Sequence, residues 1–239
     1  MASPQSPNSG ALNDSALPAP RVSPRPGGSP HDSDRPKNYW EANSPTIASQ
    51  TRVRLVNEDP HERIAVLAEL GQTGGYDSFK LITRAFDDPV REVRNAAARA
   101  LFELRADRSG SFIRAFREAE PERSFRIARA IAESGLAADE ISQLASDNFL
   151  KAYDAFSVLF LMATAGEFGP IVSGIENGSS IEIGQTLAQI LGLCGRPEAL
   201  PACSHLVLQH SLPSEVRSAI MEAIYQISSH AREAAPPAA

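Results

Sequence analysis

Cysteine is nearly absent. Cys194 and Cys203 are the only two in 239 residues, too few for a disulfide framework. Their spacing matches no metal motif of the C-x-x-C kind, so both are expected as reduced thiols in the core of a cytoplasmic protein. Long apolar runs are missing too. The most apolar stretch, Ala155 to Ala163, is about half of the roughly 18 residues a membrane span needs. No run of alternating polar and apolar residues survives a scan, which argues against a sheet. A net charge of −6 and a pI near 5.4 speak against nucleic acid or an anionic membrane as the partner. The start, MASPQSPNSG, lacks the basic-then-apolar order of a secretory signal. The five histidines are scattered, and GQTGGYD (Gly71 to Asp77) lacks the G-K-[ST] ending of a phosphate loop, so it reads as a turn between helices. No catalytic group, cofactor or metal site is expected.

Proline, serine and glycine crowd the first 50 residues, in SPQSPNSG, LPAPRVSPRPGGSP and DSDRPKNYWEANSP. Such a stretch buries too little apolar area to offset chain entropy. Residues 1–50 are therefore expected as a disordered tail, 51–230 as the folded domain and 231–239 as a frayed end. Tyr39 and Trp40 stand out in the tail, either as a short docking motif or as a cover for the first helix.

The stretch DDPVREVRNAAARALFEL (Asp87 to Leu104) carries the fold argument. Asp88 suits an N-cap and Pro89 the first helical position. Val93, Ala97, Ala100, Leu101 and Leu104 then form one apolar stripe, and Arg99 and Glu103 are spaced to pair. Asp59-Pro60 opens a similar helix, with Glu62 placed for a capping box and Gly71 as the stop. Aligning Leu70 with Leu101 gives a shift of 31 and brings Arg63 onto Arg94. Ile131, Leu159 or Leu161, Leu191 and Ile224 continue the series at a period of about 30, with Arg217 again seven before Ile224. Shorter amphipathic segments lie between, such as GYDSFKLITRAF and SGSFIRAFREA. Each unit is then helix, turn, helix, and pairs must stack because none buries its own apolar face. The expectation is an all-α solenoid of about five to six antiparallel helix pairs.

The D-P-x-x-x-V-R-x-x-A-x-x-A-L pattern at Asp88 to Leu101 resembles a HEAT-like repeat. The short period is similar to the bacterial class named after phycobilisome lyase subunits. The likeness covers about residues 52–230 and is degenerate between Glu120 and Gly178. It implies that Arg63, Arg94 and Arg217 bond to a loop aspartate of a neighbouring unit, as a structural ladder. Some HEAT-like hydroxylases hold two irons with several His-Glu pairs, whereas only His61-Glu62 occurs here.

Function is sought in the arginines. Residues 51–133 hold 15 Lys/Arg against 14 Asp/Glu, and residues 134–239 hold 4 against 11. Arg123, Arg126 and Arg129 are three apart and can share a helix face, suited to carboxylates or phosphates on a partner. The candidate partner-binding residues are Arg91, Arg94, Arg123, Arg126, Arg129 and Lys151. The expected role is a non-catalytic scaffold that holds a protein or peptide on its concave face, lined by the second helix of each pair. A bilin-lyase-type subunit is the enzymatic alternative, and Tyr76, Tyr153 and Tyr225, the only tyrosines in the domain to line a bilin groove, read as packing residues. A structural homodimer through the apolar helix from Phe149 to Ala163 is the third.

Overall fold

A computed structural model describes residues 47, 49–104, 108–178 and 180–233. Twelve α-helices and two short 3-10 turns account for them, with no strand among the described residues. The helices are α1 (Ser49–Arg54), α2 (Pro60–Thr73), α3 (Gly75–Arg84), α4 (Arg91–Glu103), α5 (Arg108–Glu118), α6 (Pro121–Glu133), α7 (Leu136–Gln143), α8 (Phe149–Thr164), α9 (Gly169–Glu176), α10 (Ile181–Cys194), α11 (Leu200–Leu208) and α12 (Ser214–Glu233). The 3-10 turns are Ala85–Asp87 and Pro197–Ala199. The expected disordered tail, with Tyr39 and Trp40, lies largely outside the described residues. Ile47 is already buried, and α12 runs to Glu233, so order extends past both expected boundaries.

The first helices of the pairs stack in chain order: α2 on α4, α4 on α6, α6 on α8, α8 on α10 and α10 on α12. Small residues allow the close approach. A Cβ on Gly71 would stand 3.0 Å from the Ala100 carbonyl oxygen and 3.1 Å from its Cα. That contact explains why α2 does not stop at Gly71 as expected. The glycine is needed for contact with α4, and the chain breaks later, at Gly74 (φ 72°). The core is continuous along the stack and is built from Leu67, Leu70, Phe79, Leu101, Phe112, Ile131, Leu159 and Leu191 among others. Burying each such side chain contributes about 1.5–3 kcal/mol.

Asp59 caps α2 as expected, accepting from the His61 N–H at 2.9 Å, with Pro60 in the first turn. Glu62 does not complete a capping box; Arg54 of α1 takes its carboxylate. In the next unit the helix begins at Arg91, after Val90, and not at Pro89. Asp88 accepts from the Val90 N–H at 2.9 Å and also holds Arg63, so its carboxylate ties a turn before the helix starts. Arg99 donates to the Ser134 carbonyl at 2.9 Å and leaves Glu103 without it.

The stacking changes character in the middle. Along α10 and α12, like ends meet: Gly184 faces Val216 and Gly192 faces Ala223. Between α6 and α8, the first turns of α6 (Pro121 to Arg126) line the same cavity as the last turn of α8 (Leu161 to Ala165). Helix α5 crosses over to pack on α8, two units along the chain, while α7 packs on both α6 and α8. This is the stretch in which the repeat pattern is degenerate.

Candidate functional site: an arginine ridge and the cavity beside it

The repeat arginines share one local geometry. Arg63 Nη1 donates to the Asn57 and Glu58 carbonyls at 2.7 and 3.1 Å. Arg94 Nη1 donates to the Asp88 and Pro89 carbonyls at 2.8 and 3.0 Å, at the same offsets. Arg217 Nη2 reaches the Gln209 and Leu212 carbonyls, each at 3.2 Å. Each guanidinium thus satisfies carbonyls of the loop that enters its own helix. Only Arg63 adds the expected aspartate, Asp88, through two bonds of 2.9 Å. Among the described residues Arg94 makes no such aspartate bond, so the ladder has no second rung there.

Five of the six candidate residues lie on α4 and α6, the first helices of their pairs. Arg123 and Arg126 both converge on Asp87, the last residue of the 3-10 turn before α4; Arg126 Nη2 stands 2.7 Å from its Oδ1. Partial burial works against ionisation of Asp87, yet the bonds from Arg123 and Arg126 outweigh it and hold its pKa below the ordinary carboxylate value. Arg129 donates to Glu133 at 2.9 Å, and Arg91 stands 3.8 Å from the same carboxylate. The Arg129 bond, against a small burial cost and with help from the Arg91 and Arg94 charges, lowers the Glu133 pKa. The ridge is therefore an ordered array in which each acid is shared by several cations. Lys151 lies apart, on the first turn of α8, beside a small cavity with Asp139, Glu140 and Asp154.

Sequence reasoning placed these arginines on a groove formed by second helices; they belong to the first-helix row. Arg114 of α5 pairs with Glu118 at 2.8 Å and stacks over the Tyr76 and Phe79 rings. Asp87, which organises Arg123 and Arg126 from 36 and 39 residues away, was not foreseen as an acceptor. No motif in a single sequence marks that pairing.

A cavity of about 890 Å³ opens between α5, α6 and α8. Ile113, Phe116, Phe125 and Leu161 supply apolar walls, and Arg117, Arg126 and Arg196 stand around it. Arg196 comes from the loop after α10. A Cβ added at Gly166, past the end of α8, would sit 3.6 Å from Arg196 Nη2 and 3.9 Å from Phe125 Cδ2. Arg196 and Phe125 therefore both border the turn at Gly166. None of these residues but Arg126 was a sequence candidate, because the crossing of α5 onto α8 brings them together.

On α8, Leu159 and Met162 are buried, while Phe156 and Phe160 stack at 6.3 Å and are half-buried. Phe149, Leu150 and Tyr153, on the first turns, are exposed. The helix is thus core along one part and open surface along another. Tyr153 and Tyr225, expected in packing positions, are 54% and 65% exposed. Cys203 is fully buried, and burial, with the nearby Cys194, pushes its thiol up to about 11. Burial also raises the Cys194 thiol, which donates to the Leu191 carbonyl at 3.1 Å. Among the described residues no group of three or more His, Cys, Asp or Glu could hold a metal ion, and no helix is long and apolar enough to cross a membrane.

No family model matches the chain, and no curated protein matches it. Among solved structures it is similar to two engineered proteins from the Northeast Structural Genomics Consortium. One is 16% identical, with a TM-score of 0.31, covering 76% of this chain and 96% of that one. The other is 14% identical, with a TM-score of 0.30, covering 80% of this chain and 99% of that one. Likenesses this distant carry no argument about role.

Proposed function

We propose that the chain is a HEAT-like, non-catalytic module that binds a partner protein or peptide along the arginine ridge of α4 and α6. One observation carries the reading: Arg91, Arg94, Arg123, Arg126 and Arg129 are gathered on adjoining helices, where Arg123 and Arg126 share Asp87, Arg91 and Arg129 share Glu133, and the Asp88 and Pro89 carbonyls hold Arg94. Arginines positioned in this way meet a partner's carboxylates with little further loss of side-chain freedom. The recurrent bonding of Arg63, Arg94 and Arg217 to their entering loops supports the repeat assignment. The two unpaired thiols suit a reducing compartment, and a cytoplasmic location belongs to the same proposal.

The test is affinity capture with the full chain and with an Arg91→Glu, Arg123→Glu, Arg129→Glu variant. The reading expects a stoichiometric partner that the variant loses while keeping its helical circular dichroism spectrum. Retention of that partner by the folded variant rules out the ridge.

The exposed Phe149, Leu150 and Tyr153 favour a second reading, in which α8 meets another copy of the chain. Light scattering decides it: a dimer mass that falls to the monomer in Leu150→Glu supports this reading, and a monomer at all concentrations ends it.

A further inference from the structure

We propose that the cavity between α5, α6 and α8 is a binding site for a small amphiphilic carboxylate, a hydrocarbon chain ended by one anionic group. It is separate from the partner surface along the ridge, although Arg126 borders both.

Size and lining come first. About 890 Å³ falls within the range of small-molecule sites, which are mostly apolar with a few placed polar groups. Phe116 of α5, Phe125 of α6 and Leu161 of α8 present hydrocarbon from three helices. Phe125 and Ile113 remain 40% and 38% exposed, unusual for large apolar side chains that face one another across a cavity. A hydrocarbon chain laid between them removes that surface from water.

Charge comes second. All three cations at the cavity are arginines, and each is differently engaged. Arg126 is fixed by Asp87, and its Nε has no acceptor. Arg196 stands 3.4 Å from Glu198 without a hydrogen bond, and its Nε likewise has no acceptor. Arg117 is exposed and has no ion pair among the described residues. The one acid lining the cavity, Glu122, has a side chain 91% exposed and turned to solvent, 3.9 Å from Arg126. The mouth therefore favours an anion, and Arg117 and Arg196 are the forks with capacity to spare.

The chemistry of the walls selects a hydrocarbon over a peptide. The walls are mostly helical, so they offer no strand edge to a peptide main chain. The Thr164 hydroxyl donates to the Phe160 carbonyl of its own helix at 2.8 Å. What is left is mostly hydrocarbon and guanidinium, with the Ser124 hydroxyl and the solvent-turned Glu122 carboxylate. The cavity also lies where regular stacking breaks, at the step from α6 to α8. Continued regular stacking fills such a space with the next helix, and here it stays open.

The test uses calorimetry on the full chain with decanoate and with decyltrimethylammonium, both below their micelle concentrations. Decanoate is expected to saturate one site per chain and to bind at least tenfold more tightly than the cation. Arg117→Gln with Arg196→Gln should weaken decanoate at least fivefold without weakening the cation. Ala165→Trp, which fills the cavity, should abolish decanoate binding; should it lower the melting temperature, the arginine variant decides. Equal binding of the two amphiphiles, many sites per chain, or decanoate affinity unmoved in the arginine variant overturns the proposal.

Discussion

Asp88 grips Arg63 through both edges of the guanidinium, with Nε–Oδ2 and Nη2–Oδ1 at 2.9 Å, across 25 residues of chain. The two side chains are only 9% and 13% exposed. The same arginine holds two carbonyls of its entering loop, and the same aspartate holds the Val90 N–H. Three backbone groups from two units thus depend on one ion pair. Removing one partner strands the other in a poorly solvated place. Arg63→Ala is expected to cost about 3 kcal/mol and Asp88→Ala a similar amount, with strong coupling in the double variant, read by urea unfolding.

Asp87 gives a pH signature. Its pKa is held down in the folded state, so its contribution is present above the unfolded carboxylate value and is lost as pH falls through the folded one. Asp87→Asn should therefore be less stable than the parent at pH 7, by about 0.5–1 kcal/mol for a partly exposed pair. The gap should close as the pH is lowered past the folded-state titration, followed by thermal melts across an acid series.

Gly71 marks the tightest approach between α2 and α4. A methyl there meets backbone atoms of Ala100, which cannot swing aside as a side chain does. Gly71→Ala should destabilise by about 1–3 kcal/mol despite the better helix propensity of alanine. Gly178→Ala, by contrast, would place its Cβ in open space and pays only for its positive φ of 73°.

The thiols should be slow. Cys203 is buried with its pKa pushed up to about 11, and Cys194 is shifted upward by burial. Iodoacetamide at pH 8 should label neither appreciably in the folded chain and both in urea, as read by intact mass.

The regular parts of the fold were legible because their causes are local. The spacing of Val93, Ala97, Ala100 and Leu101 reports a buried stripe, and Asp59-Pro60 reports a helix start. Helix ends were less legible where a tertiary contact decides them, as Ala100 does for Gly71 and Arg63 for Asp88. The candidate site was legible in part. The three-residue spacing of Arg123, Arg126 and Arg129 identified one side of α6, but not that Arg123 and Arg126 share Asp87 while Arg129 turns to Glu133. The cavity was not legible at all. Ile113, Phe125, Leu161 and Arg196 line one cavity where α5 crosses to α8, and a chain with a degenerate stretch carries no local sign of which neighbour its helix will choose.

The architecture rests on that crossing, because it opens the cavity and ends the uniform stack. Methyl NOE spectroscopy on the full chain, labelled at isoleucine and leucine, tests it most directly. The structure predicts contacts from Ile113 of α5 to leucine methyls of α8, and from Ile141 of α7 to Leu187 of α10 around Gly174. Contacts from Ile113 to α7 in place of α8 would contradict it.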